Sequence, residues 1–318
     1  MPNAAPEPPE QRFQDDLRRL IGPEVDTACL GVAVSGGPDS MALLALAVAA
    51  WPKRVRAATV DHGLRASSAD EAKMVAHWCA DHGIPHSILR PEAPITGSVQ
   101  AAARAVRYAL LEAWRGEQQV DWLMTAHHAD DQCETVMMRL NRGSGVAGLA
   151  GVRARNGQVL RPLLGWRRSE LVAVVEARRI PYALDPSNSD LRFDRAAMRA
   201  HLAQADWIDP VSVARSAAAL ADAEAALDWM VATLAQDHVR ADVEGTVSLL
   251  KTDFPHEIRR RLVLHMLALM GNDEPPRGDA LDKAIVQISR GRQVSMSDWL
   301  LSGGEVWRLR RAPARKSR

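Results

Sequence analysis

Apolar residues fall along the chain in two rhythms. Short, mostly apolar runs at Cys29–Val34, Val55–Val60, His86–Leu89 and Val120–Ala126 read as buried strands. Between them the spacing is helical: Asp39–Trp51, a helix opening on the capping box Ser68-Ala69-Asp70-Glu71 and running to about His82-Gly83, then Ser98–Trp114 and Asp130–Leu140. Strand and helix alternate with short connections. That pattern predicts an α/β fold, a mostly parallel sheet with helices on both faces. Ligands of such sheets bind beyond the carboxyl ends of the strands. Three polar stretches fall at such ends, starting at Ser35, Asp61 and His127. A further strand is expected at Leu160–Leu164 and a helix at Ser169–Arg178. After a turn-rich stretch, Pro181–Asp194, and a boundary near Ala203–Pro210, long Ala/Leu patterns at 211–238 and 255–270 predict helices.

Composition then narrows the class. With 318 residues, 47% of them hydrophobic and 25% charged, the chain has the material for two domains. The net charge of +1 means that an anionic partner has to be met by a local patch. Cys29, Cys79 and Cys133 lie far apart and form no Cys-x-x-Cys, so neither a disulfide framework nor a zinc site is expected, and a cytoplasmic setting suits them. The longest apolar run, Met41–Trp51, is too short to span a membrane. No secretory signal is visible. Residues 1–11 carry four prolines and two acids. The expected organisation is a disordered leader over 1–20, the α/β domain over 21–205 and a smaller, mainly helical domain over 206–318.

The chemistry concentrates in the three strand ends. In Val34-Ser35-Gly36-Gly37-Pro38-Asp39-Ser40 a strand runs through glycines straight into a helix. Free backbone N–H groups and the helix dipole meet there, glycine lets a ligand approach closely, and Pro38 fits a first helical turn. This suits phosphate, although a serine-capped turn fits the loop equally well; the Walker A pattern is absent. Asp39 favours the phosphate reading, since a carboxylate beside phosphates calls for a metal ion or a strong cradle. His127, Asp131 and Glu134 are spaced four and three apart, on one helical face, a set that could hold Mg²⁺ or move a proton. Arg139 and Arg142 flank a glycine-rich turn suited to phosphate, or to a plain helix end. The last eleven residues hold six Lys/Arg and no acid, as RNA-contacting tails do.

The Ser-Gly-Gly-Pro-Asp-Ser loop resembles that of the N-type ATP pyrophosphatases, the PP-loop family. Val60–Arg65, Arg104–Tyr108, Thr125–Thr135, Arg139–Gly145 and Asp185–Asn188 extend the resemblance in the family's order over residues 29 to about 200. The resemblance implies an adenine nucleotide alpha hydrolase-like fold that splits ATP between its α and β phosphates. It is most specific, in His127–Thr135 and Arg139–Gly145, to the members that join L-lysine to the wobble cytidine of tRNA(Ile) with a CAU anticodon. An adenylated tRNA forms first; the lysine amine then displaces AMP, and codon and amino-acid specificity change. On this resemblance Ser35, Gly36, Gly37, Pro38, Asp39, Ser40, Asp61 and His62 bind ATP. Asp39, Asp131 and Glu134 hold Mg²⁺, and Asp39, Arg107, His127, Asp131 and Glu134 are catalytic. By itself Arg107 reads as a surface arginine; only the resemblance makes it a catalytic cation. The family's Arg-Asn-x-x-Arg run stands here as Arg195-Ala196-Ala197-Met198-Arg199, which leaves its role open. The helical second domain would grip the tRNA, and a homodimer is one option for assembly. The alternative is another PP-loop enzyme that adenylates tRNA, such as a thiolase, but no cysteine pair supports sulfur chemistry.

Overall fold

The computed structural model describes residues 7–63, 68–91, 99–184, 194–272, 276 and 279–312. The chain divides into two compact units, 1–221 and 222–318.

In the first unit the short apolar runs become β1 (Leu30–Ala33), β2 (Val55–Val60), β3 (His86–Leu89) and β4 (Trp122–Met124). The helices between them are α2 (Pro38–Ala50), α3 (Ser68–Asp81) and α4 (Val99–Glu117), and α5 (Ala129–Asn141) follows β4. A short α6 (Val146–Leu149), strands β5 (Arg155–Asn156) and β6 (Val159–Leu160), then α7 (Arg168–Ala177) and α8 (Asp194–Leu202), complete the unit. The sheet order is β3-β2-β1-β4-β6-β5; all neighbours are parallel except the β5 edge. The direction of winding reverses between β1 and β4, the place where such sheets open a crevice.

Alternation along β1 divides the two faces. Leu30, Val32 and Val34 join the large core beneath α2 and α7, whereas Cys29 and Ala33 face the smaller cluster of Leu111 and Trp114 from α4. Gly31 is required between them: a Cβ there would lie 2.7 Å from Val120 Cγ1 and 2.9 Å from Trp114 Cζ3. Helix α2 is apolar over most of its circumference, and Met41 to Ala47 are all buried, which suits a helix covered on every side.

One expectation is corrected. The leader is ordered from residue 9: Pro9–Ile21 forms α1, with Phe13 and Leu17 fully buried. Its turn of phase was hidden by the proline-rich approach. Arg12 Nη1 donates to Glu170 Oε1 at 2.6 Å, and Trp166 Nε1 donates to Asp16 Oδ2 at 2.8 Å. The division between the two compact units falls within α9 (Pro210–His238).

The second unit adds to its helices, α10 (His256–Leu269) and α11 (Ala280–Ile288), an antiparallel sheet that the sequence reading did not contain. Its strands β7 (Val239–Ala241), β8 (Val247–Leu249), β9 (Gln293–Met296), β10 (Trp299–Ser302) and β11 (Trp307–Arg311) run in the order β7-β8-β11-β10-β9. Leu249, Leu301, Trp307 and Leu309 pack with Ile258, Leu262, Met266 and Ile285 of the helices. Strands of three to five residues offer only two or three alternations each, too few to register as a period.

Candidate active site

The loop after β1 turns at Gly36, whose φ of +86° is a conformation open chiefly to glycine. Ser40 fastens it: its hydroxyl donates to Gly37 O at 3.0 Å, accepts Ser35 N–H at 3.1 Å and lies 3.2 Å from Ser35 Oγ. Pro38 occupies the first turn of α2. The first N–H groups of a helix have no intrahelical acceptor. Here they lie beside a cavity of about 590 Å³.

That cavity spans the carboxyl ends of β1, β2 and β4. Ser35, Gly37, Pro38, Asp39 and Ser40 line it from the first, His62 from the second, and His127 and Asp131 from the fourth. Arg107 reaches it from α4. Of the residues expected in the site, Gly36, Asp61 and Glu134 do not line it. Gly36 shapes the turn. Asp61 is consumed as a hub: Ser68 Oγ and Gly63 N–H donate to its Oδ1 at 2.7 and 3.1 Å, and Arg90 Nε to its Oδ2 at 3.1 Å. These bonds, Ser68 foremost, hold its carboxyl below the usual range. Asp61 thus fixes the strand end that carries His62.

Helix α5 starts on a capping box. His128 Nδ1 accepts Asp131 N–H at 3.3 Å and Asp131 Oδ2 accepts His128 N–H at 3.2 Å. The accepting Nδ1 places the neutral ring's proton on Nε2. Nε2 stands 3.7 Å from Asp39 Oδ2 and 3.5 Å from Asp131 Oδ2. Burial opposes charge on this ring, but the Asp39 hydrogen bond and the surrounding carboxylates outweigh it and raise its pKa. His127 behaves oppositely. Burial, then Arg161, Arg104, Arg107 and Arg195, push its pKa down to about 3; Thr125 Oγ1, 3.0 Å from Nδ1, fixes the ring. Asp130 caps α7, accepting Arg168 N–H at 2.8 Å.

Glu134 is almost completely buried at 2% exposure, with both oxygens occupied. Arg195 Nε donates to Oε2 at 2.8 Å, Arg199 Nε to Oε1 at 2.6 Å and Arg199 Nη2 to Oε2 at 3.2 Å. Arg195 Nη2 also reaches Asp131 Oδ1 at 3.0 Å. Among the described residues no three His, Cys, Asp or Glu side chains gather to hold a metal ion. Through its bonds to Arg195 and Arg199, Glu134 anchors α8. Asp39 and Asp131 do fit a cation shared with phosphate. Both line the cavity, and Asp39 Oδ1 is buried without a hydrogen-bond donor. Mg²⁺ usually takes one or two carboxylates and completes its shell with phosphates and water.

The cavity's other wall is cationic. Arg104, Arg107, Arg168, Arg195 and Arg199 line it. Arg107 has no carboxylate partner among the described residues, and burial lowers its pKa. Arg168 Nε stands 3.7 Å from Asp39 Oδ1. The sequence reading did not single out Arg104 or Arg168 and left Arg195 and Arg199 open. An i, i+4 arginine pair was visible, but its partner on another helix was not. Arg139 turns inward, donating to Gly148 O and Gly151 O at 2.7 and 3.1 Å, and Arg142 forms an exposed pair with Asp194 at 3.3 Å. Asp185–Asn188, Leu64 and Arg65 lie outside the described residues.

A glycine turn feeding a helix at the switch point of a parallel sheet, with carboxylates opposite arginines, defines an α/β nucleotide-binding domain of the PP-loop class. The PP-loop domain model matches residues 9–206. Two curated relatives, both named tRNA(Ile)-lysidine synthase, align nearly end to end. The one from Zymomonas mobilis is 44% identical over 97% of this chain and 96% of its own length. The one from Novosphingobium aromaticivorans is 41% identical over 96% and 94%. The chain belongs to the tRNA(Ile)-lysidine synthase family. Among solved structures, the U34-tRNA thiolase NcsA from Methanococcus maripaludis shares the fold: its TM-score is 0.54 at 18% identity, over 66% of this chain and 78% of that one. Cys79 and Cys133 do not suit sulfur transfer. Burial pushes Cys79 up to about 12 and Cys133 to about 11, so neither supplies thiolate at neutral pH. No helix among the described residues is long and apolar enough to cross a membrane.

Proposed function

We propose that this enzyme joins L-lysine to the wobble cytidine of tRNA(Ile) bearing a CAU anticodon, consuming ATP and releasing AMP and diphosphate. The observation that carries this reading is the polarity of the cavity at the strand ends: a phosphate cradle and two carboxylates face an arginine wall. ATP would lie with its phosphates on the Ser35–Ser40 loop. Asp39 and Asp131 would hold Mg²⁺, which supplies positive charge to the phosphates when bound.

The cytidine attacks the α-phosphate, and negative charge grows on the phosphoryl oxygens. Arg107, uncompensated by any described carboxylate, is placed to meet it. In the second step a lysine amine must lose its proton, which costs roughly 5 kcal/mol at neutral pH from a pKa of about 10.4. Burial and the surrounding arginines keep His127 unprotonated down to about pH 3. It acts as a neutral hydrogen-bond partner in a cationic wall. The Asp131 carboxylate, on the cavity surface beside it, is the acceptor we assign.

The test is incorporation of labelled lysine into purified tRNA(Ile) with a CAU anticodon. Label should appear only with ATP, Mg²⁺ and that tRNA together. Diphosphate release without lysine incorporation would discard lysine as the amine while leaving the adenylating site in place.

A further inference from the structure

The second unit's sheet has one face packed on α10 and α11, and another on which Arg240, Gln293, Ser295, Arg308 and Arg310 are exposed. Its register places the outward residues in rows. Arg240 of β7 pairs with Ser248 of β8, Ser248 with Arg308 of β11, Arg308 with Ser302 of β10, and Ser302 with Gln293 of β9. The neighbouring row joins Arg310, Leu300 and Ser295. Alternation confirms the facing: Trp307 and Leu309 are buried, while Arg308 and Arg310 are exposed.

No strand position on this face is Asp or Glu. Arg308 and Arg310 form no ion pair among the described residues, unlike Arg261 of α10, which is held by Glu224, Asp228 and Glu257. Arg240 is pinned by its own backbone, donating to Gln236 O and Val239 O. The acids nearest in sequence sit in turns. Asp242 is spent on the N–H groups of Glu244 and Thr246, Asp298 belongs to the β9–β10 hairpin, and Glu305 stands exposed in the bend between β10 and β11.

We infer that this open sheet face is a docking surface for the phosphate backbone of RNA. Arg308 and Arg310 are about 7 Å apart along β11, and Arg308 and Arg240 about 10 Å apart across two strand spacings. A row of unneutralised guanidinium groups at such intervals suits a polyanion, and Ser248, Ser302 and Gln293 add hydrogen-bond partners for phosphate and ribose oxygens. Sheets that read bases present aromatic rings for stacking. Here Trp299 and Trp307 point into the core, so the face grips the backbone and leaves sequence to other parts. This rests on the tRNA reading proposed above.

The experiment is the salt dependence of tRNA(Ile) binding by the full chain, between 50 and 200 mM salt. For the double variant Arg308→Ser, Arg310→Ser the slope of log K against log salt should become shallower by about 1.4–1.8, the release from two phosphates. Affinity for unrelated tRNAs should fall in parallel. Arg308→Lys with Arg310→Lys should keep the slope, which shows that charge and not the fold of the strand is read. Arg18→Ser with Arg19→Ser removes equal charge from α1 and should bind as the parent does. A parent-like slope in the serine variant, or an equal loss in the α1 variant, would overturn the surface. Wild-type protein that binds tRNA but attaches no lysine would sink the lysine reading and leave the surface standing.

Discussion

Arg199 Nε donates to Glu134 Oε1 at 2.6 Å and so ties α8 to the buried side of α5. Glu134 in turn accepts from Arg195, which keeps a second guanidinium beside Asp131. The pairing raises the Arg199 pKa through that hydrogen bond, and the arginines stay charged in any case. Removing one partner from a buried pair strands the other charge. Glu134→Gln is expected to lower stability by about 1–3 kcal/mol, the scale of hydrogen bonds to charged groups. Urea denaturation checks it. A cycle with Arg199→Ala should show non-additivity, because the two changes remove one shared contact.

Asp131→Asn should leave the fold in place, since an amide oxygen can still accept the His128 N–H. We expect lysine incorporation to fall at least about 100-fold, the lower range for losing a proton-transfer group. Single-turnover kinetics with preformed adenylated tRNA would separate that loss from a defect in adenylation. A folded and fully active variant would remove Asp131 from the mechanism.

Gly36→Ala places a side chain at φ +86°. The strain should cost about 1–2 kcal/mol. Because the turn aims the cradle, KM for ATP should rise as well, while binding of tRNA stays unchanged. Thermal melting and ATP titration measure the two effects independently.

The pH dependence follows from His127. Its folded pKa lies near 3, below the 6.5 of an unfolded histidine. The unfolded chain therefore binds the extra proton first. The contribution to stability is complete above pH 6.5 and drains away as pH falls toward 3. NMR of labelled histidine should show His127 unprotonated at pH 5, and the rate profile between pH 5 and 8 should carry no inflection from it.

How much of this could be read from the chain depended on the range of the interaction. The switch-point loop was legible because Gly36, Pro38 and Ser40 act on their immediate neighbours. Strand β2 at Val55–Val60 was legible from its continuous apolar run. Helix α1 was not, because its phase shows only once Phe13 and Leu17 find α2. The partners of Glu134 were out of reach for the same physical reason. Spacing places it on one face with His127 and Asp131, but its occupants come from α8, about 60 residues away. The bonds of Asp61 to Ser68 and Arg90 were likewise out of reach of local spacing.

Helix α2 is buried on nearly every side, beneath both α1 and α7. Its last residue is Ala50, and α7 is complete only at Ala177. A ribosome adding about 5–20 residues per second needs roughly 6–25 s to cover that interval. For that time a nearly uncharged apolar helix leaves the exit tunnel without the cover of α7. The nascent chain is thus most exposed to aggregation before its nucleotide site exists, and Met41–Ala47 is the segment a holding chaperone should protect.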